Sequence, residues 1–168
     1  TVGEIEAARA AAGITTDTDY TATASGTITN NTDRTSLNSI AGETSGKVIA
    51  RIDGDSAYLA GLNTAGTDDI TVNLTAAEAA TATSLSDLDG KTNLAVNATN
   101  ITSITGTVGE IEAARASAGI NTDTDYTATA SGTIGSNIDR TRLNSIAGET
   151  SGKVTARVDG DLGFVSAL

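Results

Sequence analysis

Apolar residues recur along this chain in two kinds of segment that alternate with each other. In one kind, apolar and polar positions alternate: Ile70, Val72 and Leu74 are apolar, and the residues between them are polar. Because successive side chains of a strand point to opposite faces, this alternation predicts half-buried strands. The strand-like runs are YTATASGTI (20–28), KVIARID (47–53), ITVNLT (70–75), LAVNATNITSI (94–104) and KVTARVD (153–159).

In the other kind of segment, two apolar residues stand three positions apart, a spacing that places both side chains on one face of a helix. The pairs are Leu37/Ile40, Leu59/Leu62, Leu85/Leu88, Ile111/Ala114 and Leu143/Ile146. Helix starts are marked by a Thr followed three residues later by a Glu, the capping-box pattern, at Thr1/Glu4, Thr75/Glu78 and Thr107/Glu110. Glycines follow the helical segments and supply positions for a positive φ, at Gly13, Gly46, Gly90 and Gly119.

A long internal repeat organises these segments. Residues 1–55 recur at 107–161, a displacement of 106 positions, with eight mismatches in the 55 pairs. Inside this period the helical pairs are spaced by about 26 residues on average, the length of one coil of a solenoid. The sequence therefore predicts an α/β repeat solenoid of strand–helix coils, with a parallel β-sheet on one side and short helices on the other. We expect 1–168 to be one solenoid segment of a longer repeat array, with the long repeat at 1–106 and a partial second copy at 107–168.

The alternative architecture is an all-β parallel β-helix in which the EIEAARA segments form only turns. In the preferred solenoid, apolar residues of the strands and helices face a narrow core with little room for aromatic rings. Ten residues are predicted for this core: Leu37, Ile40, Val48, Ile52, Leu59, Leu62, Ile70, Val72, Leu85 and Leu88.

The composition excludes several classes of function. The chain has no Cys and no His, which excludes disulfides and thiolate metal sites and removes the usual general base and zinc ligand. The net charge of −11 opposes binding to nucleic acid, because phosphate contacts need clustered Lys and Arg and the ten basic residues are dispersed. No apolar run reaches about 18 residues, so we expect no membrane insertion. Without a nucleophile–base pair that uses His or Cys, we predict that the chain is not an enzyme.

Five Asp-x-Asp pairs are the main candidates for a binding site: Asp17/Asp19, Asp53/Asp55, Asp87/Asp89, Asp123/Asp125 and Asp159/Asp161. We expect all of them in turns between strand and helix, where stacked coils would align their carboxylates. Calcium takes about 6–8 oxygen ligands in irregular geometry, so these aspartates are candidate calcium ligands. The competing interpretation is that they cap helices, form turns and keep the surface soluble.

The segment 84–120 resembles repeats of very long bacterial cell-surface proteins, notably those of marine cyanobacteria. The motifs that carry the resemblance are LSDLDG at 85–90 and ITGT at 104–107, the latter followed by an Ala-rich helical segment. The resemblance implies an extracellular, adhesin-like or matrix role, and it brings no catalytic residues with it.

Repetition and composition together favour a structural protein. We expect an extracellular or cell-surface rod or filament, built by axial stacking of coils, whose partners are further copies or neighbouring repeats of the same chain. One alternative is an adhesin module that binds polysaccharide or another surface, with calcium as its possible cofactor. A third class, a calcium-dependent polysaccharide-cleaving enzyme, is less consistent with the lack of aromatic platforms and of a distinctive acidic cluster.

Overall fold

A computed structural model describes residues 1–13 and 15–168 of the chain. Its helices are α1 (Val2–Ala10), α2 (Asn31–Glu43), α3 (Ser56–Leu59), α4 (Ala82–Asp89), α5 (Val108–Ala116), α6 (Asn137–Glu149) and α7 (Leu162–Val165). Its strands are β1 (Ala22–Ile28), β2 (Val48–Gly54), β3 (Asp69–Leu74), β4 (Ala79–Thr81), β5 (Val96–Ala98), β6 (Ser103–Thr107), β7 (Ile120–Thr122), β8 (Thr127–Ile134) and β9 (Val154–Val158). The EIEAARA segments lie in α1 and α5, so the all-β alternative is wrong.

The strands form two sheets in which every pairing is parallel. The five-stranded sheet has the order β1-β2-β3-β5-β7, and the four-stranded sheet has the order β4-β6-β8-β9. Parallel strands must be joined by crossover connections, and the helices supply several of them. The predicted α/β class with parallel strands is therefore confirmed.

The number of sheets differs from the prediction, which placed one sheet opposite the helices. The run 94–104 was predicted as one strand, but it divides into β5 and β6, which belong to different sheets. A turn separates the two strands: the Ile101 amide donates to the Ala98 carbonyl at 3.1 Å, and the Asn100 side chain donates to the Leu74 carbonyl at 3.0 Å. Ile101 is 1% exposed, so the turn itself contributes an apolar side chain to the core and continues the strand-like pattern.

The pairing register explains how one repeat occupies two sheets. From Ala22, four successive pairings in the five-stranded sheet have sequence offsets of 26, 20, 24 and 24 residues. These offsets total 94 residues, 12 fewer than the 106-residue repeat. The remaining residues carry the chain to the other sheet, so β8, the copy of β1, pairs with β6 in the four-stranded sheet. The average spacing of about 26 counted these residues as well.

Two of the three predicted capping boxes are confirmed. Thr1 and Thr107 cap α1 and α5, and in each helix the Glu three residues later reaches back to the cap. The third prediction, at Thr75, is wrong because a strand follows it, and α4 begins at Ala82 with Thr81 as its cap. The Glu78 carboxylate instead accepts from the Ser56 amide at 2.5 Å, at the start of α3. A tertiary contact has therefore replaced the local cap.

The apolar core lies between the inner faces of the strands and the helices. All ten predicted core residues are at most 3% exposed, which confirms that part of the prediction. The register places Ile52 beside Val72 in adjacent strands, so their side chains form one continuous row. Burial of such rows is the main favourable term in the stability of the fold.

The glycine prediction is confirmed at one position of four. Gly13 has a φ of 102°, whereas Gly46, Gly90 and Gly119 do not adopt a positive φ. Gly46 is needed for close packing instead, because a Cβ atom there would overlap the Tyr20 carbonyl oxygen. Its copy Gly152 has the same relation to Tyr126.

We predict that Gly152→Ala destabilises the protein by about 1–3 kcal/mol, because the added methyl group meets rigid backbone rather than a flexible side chain. The control is Gly148→Ala in α6, where a Cβ has open space and alanine favours the helix by about 0.5–1 kcal/mol. Urea unfolding of the two variants measures the difference. Equal midpoints for the two variants would contradict the close packing.

Candidate functional site

The internal repeat allows the same residues to be compared in two surroundings. Five apolar residues form one open surface, here called the β1 face, and their copies in the second repeat are covered: Ile5, Ala8, Tyr20, Ala22 and Ala24. Six residues form a second open surface, here called the β9 face: Leu143, Ala147, Val154, Ala156, Val158 and Leu168. The two surfaces are the candidate functional site because each presents apolar side chains that the chain buries elsewhere.

The β9 face contains an open groove of about 270 Å³. Val154, Ala156 and Val158 are half-buried there, whereas their copies in β2 are 1%, 6% and 0% exposed. The copies are covered because β3 pairs along β2 over six residues, from Ile49 to Gly54. The face of β9 is open because β9 is the outer strand of its sheet and pairs with β8 alone among the described strands.

The residues that follow β9 show the same contrast. Leu168 is 48% exposed, and the residue at the equivalent position in the first copy, Leu62, is 3% exposed. Val165 of α7 is 44% exposed, and Leu59 of α3 is fully buried. The chain therefore supplies counterparts of α3 and Leu62 above β9, while no described strand occupies the place of β3.

The β1 face contains a similar groove of about 300 Å³, lined in part by Ile5, Ala8 and Tyr20. In the second copy, Ile111 and Tyr126 are fully buried, because α4 packs against α5 and β6 pairs with β8. In the first copy β1 pairs with β2 alone among the described strands, and Ile5 and Tyr20 are only half-buried. Outer strands with free backbone groups are templates for further pairing.

Arginine–aromatic pairs fix the helices to the coils beside them. All four aromatic rings have a guanidinium carbon 4.8–5.6 Å from the ring centre, in the pairs Arg9/Tyr20, Arg34/Tyr58, Arg115/Tyr126 and Arg140/Phe164. Such contacts are each worth about 0.5–2 kcal/mol. Sequence reasoning missed them, although the constant spacings of 11 and 24 residues in the two copies were a usable signal.

Tyr126 shows the electrostatics of one such pair. Its hydroxyl accepts from the Arg115 guanidinium at 3.1 Å, and its side chain is fully buried. Burial raises the pKa of the Tyr126 hydroxyl, and the Arg115 charge opposes part of that rise. The pair is a structural clamp, because its polar atoms are turned to each other and to the core rather than to a cleft.

A row of polar side chains crosses the outer face of the five-stranded sheet. Arg51 donates to Asp53 at 3.0 and 3.1 Å, and Asn73 donates to Asp53 at 2.6 Å. Asn97 continues the row by donating to Asn73 at 3.2 Å. The hydrogen bond from Arg51 is the main cause that lowers the pKa of the Asp53 carboxyl. The row is a hydrogen-bonded ladder on the surface of consecutive strands.

We predict that Asp53→Asn removes a small pH-dependent part of the stability, less than about 1 kcal/mol because the ion pair is near the surface. The lowered pKa of Asp53 stabilises the fold above the ordinary carboxyl pKa, and this contribution is lost as the pH falls through the lowered pKa. Urea unfolding of both proteins from neutral to acidic pH measures it. A gap between the proteins that grows toward low pH would contradict this account.

The candidate calcium ligands play several local roles. Asp55 and Asp161 cap α3 and α7, and their carboxylates accept from the Tyr58 and Phe164 amides at 2.7 and 2.8 Å. Asp53 belongs to the polar row and lies in β2. These three positions match the competing interpretation, in which Asp caps helices and forms surface contacts.

The prediction that all five pairs lie in turns is wrong for two of them. Asp53 is in β2, and Asp87 and Asp89 are inside α4, where Asp89 accepts from the Ser117 hydroxyl at 2.9 Å. The helical period of the LSDLDG segment, with both leucines buried, outweighs its turn-forming residues.

The remaining aspartates lie outside the helices and strands, at Asp17, Asp19, Asp123, Asp125 and Asp159. The Asp17 and Asp123 carboxylates each accept from the next amide in the chain, at 2.8 and 2.7 Å. Within residues 1–13 and 15–168, no group of three or more acidic side chains is placed to hold a metal ion. Calcium binding by the ten aspartates stays a prediction.

Comparisons with known proteins give no match: no protein-family model, no curated protein and no solved structure matches this chain. The resemblance to bacterial surface repeats therefore depends on the sequence motifs alone.

The described part of the chain contains no helix that is both long and apolar enough to span a bilayer.

Proposed function

We propose that this chain is a structural element of an extracellular or cell-surface rod, in which successive strand–helix coils stack along one axis as a solenoid. The observation that carries the proposal is the matched pair of open surfaces, the β1 face and the β9 face. Each consists of residues whose repeat copies, or structural counterparts, are buried by a neighbouring coil. Nothing in the described structure suggests catalysis, and the repeated contacts are structural.

Stacking accounts for the physical properties expected of such a rod. Each added coil extends the sheet by about 4.8 Å and buries another row of apolar side chains. Exposed apolar area is favourable to cover by about 25 cal/mol per Å², so both faces favour contact with a further coil. The net charge of −11 keeps the lateral surface soluble while the apolar ends associate.

The register gives the rod a further property. Because 12 residues of each 106-residue repeat carry the chain from one sheet to the other, equivalent surfaces of successive repeats lie on different sides. A rod built from many such repeats would therefore present each surface feature along a helical path. This arrangement suits a fibre that contacts its surroundings in several directions.

Negative-stain electron microscopy of the purified chain, with millimolar calcium and again with a chelator, tests the proposal. We expect filaments of constant width, formed by contact between the β9 face of one molecule and the β1 face of the next. Loss of filaments in chelator would add calcium at the Asp-x-Asp pairs to the account. Single dispersed particles at high protein concentration in both conditions would contradict self-assembly.

A second candidate function is binding of polysaccharide by the polar row on the five-stranded sheet. The row places Asp53, Asn73 and Asn97 side by side at the spacing of adjacent strands. This candidate predicts glycan affinity in the monomeric chain that Asn73→Ala abolishes. Glycan-array binding that is unchanged by Asn73→Ala would reject it.

A further inference from the structure

We propose that the β9 face is a docking site for one kind of segment: an extended strand with the sequence features of residues 63–76, which contain β3. This inference deepens the proposed function, on which it rests, by naming the partner segment of one end of the rod. The occupant is defined by an apolar alternation that is preceded by two adjacent carboxylates.

The first step is the contact that β3 makes in the first copy. Ala50 pairs with Ile70, and Ile52 pairs with Val72, in a parallel register. Ile70, Val72 and Leu74 are all fully buried. The strand therefore contributes both a backbone ladder and a complete apolar row to the surface that β2 offers.

The second step is a pair of charged contacts that fix the register of β3. The Lys47 ammonium lies 3.0 Å from the Asp69 carboxylate. The Val48 amide donates to the Asp68 carboxylate at 2.8 Å, and Asp68 is only 3% exposed. A buried carboxylate that accepts a backbone amide is specific, because a strand shifted by one residue would lose it and expose its apolar row.

The third step is that β9 repeats the receiving surface. Lys153 and Val154 are the copies of Lys47 and Val48, and Lys153 is exposed. Ala156 repeats Ala50, and Val158 replaces Ile52 with a side chain smaller by one methylene. The receiving strand therefore keeps its positive charge, its amide and its apolar row, while its edge is free of any described strand.

The same comparison excludes the other strand type as the occupant. β6 covers β8 in the four-stranded sheet, but residues 98–107 contain no carboxylate to meet Lys153. Residues 63–76 carry both Asp68 and Asp69. α7 and Leu168 already stand where α3 and Leu62 precede β3, so the missing part begins at the position of Asn63.

The first experiment uses the full chain and a fluorescent peptide of residues 63–76. We expect saturable binding with a Kd below about 1 mM, with amide shifts confined to α6, β9 and α7. A peptide with Ile70→Thr, Val72→Thr and Leu74→Thr, and a peptide of residues 98–107, are expected not to bind. Equal binding of all three peptides would overturn the proposal.

A charge exchange tests the register. Lys153→Glu in the chain is expected to weaken binding of the 63–76 peptide by about five-fold, and Asp69→Lys in the peptide to recover it. Because Lys153 is exposed, the variant leaves the fold intact, which circular dichroism checks. Weakening without recovery would contradict the assigned register.

A fused chain keeps the proposal testable when the free peptide is too flexible to bind measurably. Residues 63–76 are joined after Leu168, which places the strand next to β9 at high effective concentration. We expect the midpoint of thermal unfolding to rise by at least about 3 °C, and the rise to shrink with Lys153→Glu. No rise together with no peptide binding would overturn the docking site.

The outcomes separate this inference from the proposed function. Filaments formed by a chain that does not bind the peptide would support the rod and overturn the assignment of β9 to a β3-type strand. Peptide binding by a chain that forms no filaments would support the docking site and contradict self-assembly.

Discussion

Val72→Asp is expected to abolish the native fold at room temperature. Val72 is fully buried in the middle of the five-stranded sheet and pairs with Ile52 on one side. An aspartate there would be charged in an apolar row or protonated without a partner, and either state costs about 4 kcal/mol or more. Stabilities of single domains are about 5–15 kcal/mol, and stacked coils lose their neighbours together. Loss of the parallel-sheet signal in circular dichroism measures the effect.

The matched control is Thr71→Asp, which places the same carboxylate one residue away on the exposed face of β3. We expect this variant to unfold within about 0.5 kcal/mol of the wild type. Normal unfolding of Val72→Asp, or equal loss from both substitutions, would contradict the assigned inner and outer faces of the sheet.

Ile111→Ala is expected to destabilise the protein by about 2–5 kcal/mol, the usual cost of removing a large side chain from a filled core. Ile111 is fully buried in α5, where α4 covers it. Ile5→Ala, the same change at the same place in the repeat, is expected to cost less than about 1.5 kcal/mol because Ile5 is half-buried. Urea unfolding of both variants gives the two values.

This pair of substitutions has a built-in control, since residues 1–10 and 107–116 are identical in sequence. Helix propensity and capping cancel between the copies, and only the neighbouring coil differs. Equal costs at the two positions would show that the β1 face is covered in solution, as it would be in an assembled filament. Dilution until the two costs separate distinguishes that result from a wrong structure.

Patterns with a short period could be predicted from the sequence because local geometry decides them. Alternation in 70–75 fixed which side chains of β3 face the core, and the i, i+3 pairs located the buried faces of α2, α4, α5 and α6. The capping boxes at Thr1 and Thr107 were predictable for the same reason, since their partners are three residues away.

Features that depend on distant residues could not be predicted in the same way. The division of 94–104 into two strands depends on Asn100 bonding to Leu74, which is 26 residues away. The cap expected at Thr75 failed because Glu78 bonds to Ser56, which belongs to the preceding coil. In both places a contact between coils outweighed a local signal.

The candidate site was foreseen only in outline. The sequence predicted unpaired edges and apolar ends for any fragment of a solenoid, but only the structure shows which residues form them. It also places Asp87 and Asp89 in a helix rather than a turn, so a stacked row of turns does not include them. Composition and spacing cannot distinguish a turn from a helix when the flanking leucines fit both.

Small-angle X-ray scattering of a tandem chain tests the central claim, that coils stack along a single axis. The tandem places residues 1–106 before the full sequence, and the full sequence alone is the reference. Four more coils at about 4.8 Å each predict a maximum dimension longer by about 20 Å, with an unchanged cross-section. A separate domain of about 100 residues would instead add roughly 35 Å. An increase of that size, or a thicker cross-section, would contradict the stacked rod.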